Sequence, residues 1–152
     1  MATLTNVKLT LAPGAGGTTT VTVQGDMTFQ AAEVGRSYRM EIRLFGEDKA
    51  GDNLPAADAL GDDELYVFRW GPLVFSRPYR QFTVAAAGLQ AFTETRNVAS
   101  DLLDEDRGKV IIGYADINTP IYMPRSDEVY ARVTLSCTPV TVRSNTVTSF
   151  GV

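Results

Sequence analysis

Asp104, Glu105 and Asp106 place three carboxylates in consecutive positions inside LDEDRGK (103–109). Two more acidic stretches lie upstream, GEDKAGDN (46–53) and GDDELYVF (61–68). Of the 18 acidic residues, seven fall between Glu47 and Glu64 and seven between Asp101 and Glu128. Such loops could do three kinds of chemistry. The first is calcium binding, which needs about six to eight oxygens at roughly 2.3–2.6 Å, usually from several carboxylates on flexible loops. Asp104 and Asp106 have the alternate spacing that turns two carboxylates toward one point, and Asp48 and Asp52 bracket a loop containing Gly51. An EF-hand is excluded: with Asp104 as its first position, the position that needs a bidentate Glu is Ala115. The second is glycoside hydrolysis by two carboxylates, for instance Glu64 or Glu128 with an Asp. That reaction wants one carboxyl sheltered in an apolar pocket, and these loops carry no such surroundings. The third is no chemistry at all, since Asp, Asn and Gly favour turns and acidic loops keep a surface soluble.

Other active-site types are removed by composition. The 152-residue chain has no histidine and a single cysteine, Cys137. Ser-His-Asp and Cys-His nucleophiles cannot be built within one chain, nor can Cys/His zinc sites or an internal disulfide. The expectation is a protein without catalytic activity.

Period-two apolar patterning runs through the elements that would carry these loops. It places Val7, Leu9 and Leu11 on one face, then Val21, Val23, Met27 and Phe29, then Met40, Ile42 and Leu44, and finally Val129, Ala131, Val133 and Leu135. ELYVFRW, RQFTV, QAFTETRNV, VIIGYADI and VTVRSNTVTSF add strand candidates, and APGAGG, EVGRS, AAAG and NTP carry turn residues. Only AAEVG and ASDLLDE suit a single helical turn. These features predict one all-β domain over residues 1–152, an antiparallel sandwich of about eight strands, C2-like or jelly-roll-like. Cys137 continues the apolar face of its strand and is expected in the core.

Residues 40–117 resemble the C2 domain family, whose members are eight-stranded sandwiches with aspartate-bearing loops that bind calcium, often to dock on phospholipid. Asp48, Gly51 and DELYV (63–67) are similar to its first loop and the strand that follows; FTET (92–95) and LDEDRGKVIIG (103–113) are similar to later phrases of the family. The resemblance implies Asp48, Asp63, Asp104 and Asp106 as metal ligands and Ca²⁺ as the cofactor. It departs at Val110, where the family often has a ligand Asp, and in lacking a Lys-rich strand, since Lys8, Lys49 and Lys109 are the only lysines. Peripheral contact with a membrane is therefore less expected than the fold.

YVFRWGPLVFSRPYRQF (66–82) holds six aromatic residues and three arginines. Trp, Tyr and Arg dominate interface hot spots, so Trp70, Phe75, Arg77, Tyr79 and Arg80 are candidate interface residues. The plainer reading is a core strand, a Pro-bearing crossover and an edge strand. APGAGGTTT (12–20) lacks the Lys-Ser/Thr of a phosphate loop and reads as a hairpin linker. The Thr- and Val-rich termini are strong strand formers whose edges could pair with another subunit.

Net charge is −4, and no Lys/Arg run forms a nucleic-acid footprint. No apolar run approaches transmembrane length, and MATLTNVKLT lacks the basic start and apolar core of a secretory signal. A cytoplasmic location, or export by a signal-independent route, is expected. The role expected is a structural or interaction module within a homomeric assembly, its partner itself or another protein. The alternative is a calcium-dependent module reaching lipid, glycan or protein, with a carboxylate glycosidase third.

Overall fold

A computed structural model describes residues 2–46, 63–103, 109–117, 119–124, 126–137 and 140–150. Eleven strands follow one another among them: β1 (Thr3–Pro13), β2 (Thr18–Phe29), β3 (Ser37–Gly46), β4 (Asp63–Val67), β5 (Arg80–Thr83), β6 (Gly88–Ala99), β7 (Lys109–Asp116), β8 (Thr119–Pro124), β9 (Ser126–Ser136), β10 (Val140–Arg143) and β11 (Val147–Phe150). Single 3₁₀ turns lie at Ala31–Glu33 and Ser100–Leu103, where the short helical segments were expected.

All the strand pairs are antiparallel. One sheet has the order β1-β2-β6. The other runs β10-β9-β3-β4, with β11 also on β9 and β5 also on β3. β7 and β8 form a separate hairpin. The two sheets thus hold nine strands where about eight were expected. VTVRSNTVTSF divides into β10 and β11 at Ser144-Asn145-Thr146, and β8, which contains Pro120, had not been anticipated.

One apolar cluster draws on both sheets, as a sandwich requires. Met40, Ile42 and Leu44 of β3 and Val129, Ala131, Val133 and Leu135 of β9 are fully buried. They meet Leu9 of β1, Val21, Val23, Met27 and Phe29 of β2, and Phe92 and Val98 of β6. β1 departs from strict alternation: Leu4 and Leu9, five positions apart, are both buried. A register shift between Thr5 and Lys8, with Asn6 at φ 55°, supplies the extra residue that turns both inward. Gly25 of β2 leaves space there, for a Cβ would stand 2.9 Å from the Phe92 ring and 3.2 Å from Val7 Cγ2.

The corner between β2 and β3 is pinned by a buried carboxylate. Glu33 accepts from the Gln30 backbone N–H at 2.7 Å and from the Tyr38 hydroxyl at 2.6 Å. Those donors hold its carboxyl below the ordinary range, Tyr38 first and Gln30 second. Burial, and then the bond to Glu33, push the Tyr38 phenol up to about 12.

The β1–β2 connection is the expected hairpin linker, with Gly16 and Gly17 at φ 63° and 73°. Cys137 is exposed, contrary to expectation. β9 ends at Ser136, so Cys137 sits in the following turn, where strand alternation no longer decides which way a side chain faces.

Candidate interaction surface

The free side of β3 is shared by two strands. β5 pairs with Ser37–Met40, β4 pairs with Arg43–Gly46, and the Phe68 N–H donates to Ile42 O at 2.9 Å between them. The chain therefore leaves this edge after Phe68 and returns to it at Arg80. The excursion is a finger closed at its base by two backbone hydrogen bonds between Trp70 and Arg77, of 2.9 and 2.8 Å.

At the tip the Phe75 N–H donates to Pro72 O at 2.9 Å, while Gly71 at φ 103° makes the entering bend. Arg69 clamps the returning limb, its Nε donating to Ser76 Oγ and its Nη2 to Ser76 O, each at 2.8 Å. This hydrogen-bonded loop presents three successive apolar side chains to solvent: Leu73 is 98% exposed, Val74 86% and Phe75 79%. Exposed large apolar residues normally occur singly, so three in succession make this loop a candidate interaction surface.

All five candidate interface residues line one shallow cleft of about 380 Å³ at the foot of the finger, with Gly71, Pro72 and Gln81. Their roles differ. Phe75 stands out from the surface, whereas Trp70 is half-buried and packs against the core. Trp70 Nε1 is buried and has no hydrogen-bond partner among the described residues. Tyr79 lies under the guanidinium of Arg39, whose Cζ is 4.4 Å from the ring centroid, with Arg77 at 6.0 Å. Arg80 bonds Glu94 at 3.3 Å and lies 5.7 Å from the Phe82 centroid. The plainer reading of residues 66–82 describes the arrangement: Phe68 is core at 0% exposed, the middle is a Pro-bearing loop, and β5 is an edge strand.

Sequence reasoning passed over Leu73 and Val74, although WGPLVFS sets an apolar run between turn-forming Gly-Pro and a polar Ser. It also missed Arg96, whose Cζ lies 5.2 Å from both the Phe68 and Trp70 centroids and whose Nη2 donates to Arg69 O at 3.1 Å. Nothing local in the sequence connects Arg96 to Trp70; the fold brings them together.

Of the four candidate calcium ligands, only Asp63 is among the described residues; it is exposed and opens β4 opposite Gly46. Asp48, Asp104 and Asp106 lie outside them. Among the described residues no group of three or more Asp, Glu, Cys or His could hold a metal ion, and no helix is long and apolar enough to cross a membrane.

By fold the chain is an antiparallel β-sandwich. No protein-family model matches it, and no curated protein is significantly similar to it.

Proposed function

We propose that this protein is a non-enzymatic structural module that works as a subunit of a homomeric assembly, docking through the finger at residues 70–77. The exposure of Leu73, Val74 and Phe75 on a hydrogen-bonded loop is the observation that supports this reading. Taking such side chains out of water is worth about 1.5–3 kcal/mol each when burial is complete. A pre-ordered loop loses little conformational freedom on docking, so more of that gain survives as affinity. Arg39, Arg77, Tyr79 and Arg80 around the foot give the apolar tip a polar surround of the kind that rims an interface.

Sedimentation of the wild type against a Leu73→Asp/Phe75→Asp variant tests this. The wild type should sediment as a multiple of the 16.5 kDa chain. The variant should fall to a smaller species with an unchanged melting temperature. A wild type that is monomeric at every concentration would refute the reading. The C2-like, calcium-dependent reading rests on the sequence resemblance, and a rise in melting temperature with Ca²⁺ over chelator would move it to first place.

A further inference from the structure

We propose that the free edge of β6 is a symmetric docking edge that pairs antiparallel with β6 of a second copy of this chain, in the register that sets Thr95 against Thr95. The inference rests on the assembly reading above and names a second surface for it.

The four edges of the two packed sheets are not equivalent. β1 is closed at Leu9, where Asn145, between β10 and β11, takes both the N–H and the carbonyl. The β4/β5 edge is interrupted by the finger, and the outermost strands β10 and β11 are four residues each. β6 runs twelve residues, Gly88–Ala99, contains no proline, and holds an unbroken register against β2. Among the described residues it pairs with no other strand.

An edge of that length is a template for strand addition. Its own sequence favours a second copy. A two-fold axis perpendicular to the sheet keeps inner side chains inner, so only residues of the same face can stand opposite one another. With the axis at Thr95, the inner face sets Glu94 against Arg96 of the second copy, and Phe92 against Val98. The outer face sets Thr93 against Asn97 and Ala91 against Ala99. The Glu94 and Arg96 side chains are 15% and 24% exposed, and lie 3.5 Å apart within one chain. Arg80 of the same chain also bonds Glu94, at 3.3 Å, and the pairing carries this cluster across the axis by setting each Glu94 against the Arg96 of the other copy.

Other registers lose that match. An axis at Glu94 or at Arg96 sets like charges directly opposite, which is unfavourable. An axis at Thr93 leaves Glu94 facing Phe92, and an axis at Asn97 leaves Arg96 facing Val98. The two charges thus favour this alignment over the neighbouring registers of β6 on its own copy.

Cysteine cross-linking tests the register, in a Cys137→Ser background because Cys137 is an exposed free thiol. Thr95 is exposed, so Thr95→Cys should fold, as an unchanged melting temperature will verify. Under mild oxidation it should give a reducible covalent dimer, because directly opposed residues bring their Cβ atoms within disulfide reach. Thr93→Cys and Asn97→Cys should each give at least tenfold less alone, yet cross-link when mixed. Adding Leu73→Asp/Phe75→Asp should leave the Thr95 cross-link intact. Failure of Thr95→Cys to cross-link, or equal dimer from Thr93→Cys alone, would overturn the proposal. If the wild type still sediments as an oligomer in that case, the assembly reading survives without this edge. A wild type that is monomeric throughout overturns both.

Discussion

Asn145 closes an edge of one sheet from within the other: its Oδ1 accepts the Leu9 N–H at 2.9 Å and its Nδ2 donates to the Leu9 carbonyl at 3.3 Å. A single side chain thereby takes the place of one strand residue. It is held there because its neighbour Ser144 is fastened to β9, with Ser144 N–H on Ala131 O at 2.7 Å and Ala131 N–H on Ser144 Oγ at 2.6 Å. The same residue lies between β10 and β11, so its two bonds tie β1 to the larger sheet.

Asn145→Ala should lower unfolding free energy by about 1–3 kcal/mol, because two backbone groups of Leu9 lose their partner. Asn145→Asp keeps the acceptor for the Leu9 N–H but sets a carboxylate oxygen against the Leu9 carbonyl, so it too should fall below wild type. Urea unfolding measures both. An unchanged midpoint for Asn145→Ala would show that water replaces the amide without loss.

The Glu33–Tyr38 pair makes stability fall at both ends of the pH range. Glu33 has its carboxyl held below the ordinary 4.5, so its contribution is complete above that value and disappears as pH falls through the lower folded one. Tyr38 is raised from 10.0 to about 12, so its contribution is complete below pH 10 and lost as pH climbs toward 12. Tyr38→Phe should flatten the alkaline loss and bring the acid transition closer to pH 4.5. Melting temperature against pH for the two proteins checks this, and parallel curves would refute it.

Arg69→Ala should loosen the finger without unfolding the sandwich. It removes two bonds to Ser76 on an exposed loop, so global stability should change by no more than about 0.5 kcal/mol. Limited proteolysis with an enzyme that cuts after large apolar residues should then cleave at Leu73–Phe75 several-fold faster. Equal cleavage would mean that the Trp70–Arg77 base alone holds the loop.

Gly25→Ala should cost about 1–3 kcal/mol by overpacking. The added methyl would meet the buried Phe92 ring at 2.9 Å, and a packed ring has little room to retreat. The compensating change Phe92→Leu in the same chain should recover part of the loss. No recovery would place the strain in the backbone instead.

What the sequence alone determined is the part governed by local periodicity. Met40, Ile42 and Leu44 alternate with Arg39, Glu41 and Arg43, and a strand with that pattern can bury only one face. The same logic located the β9 core and the turn at Gly16-Gly17, where positive φ selects glycine. Tertiary structure decided the rest, because it depends on residues far apart in the chain. Leu4 and Leu9 share the core only through the bulge at Asn6, and Cys137 turns outward because β9 stops one residue earlier. Trp70 meets Arg96, and Leu9 meets Asn145 across 136 positions, through the stacking of two sheets. Phe68 and Phe75 belong to one aromatic-rich run, yet one is sealed in the core and the other stands in water. No local pattern separates them; the single free side of β3, divided between β4 and β5, forces the chain between those strands outward.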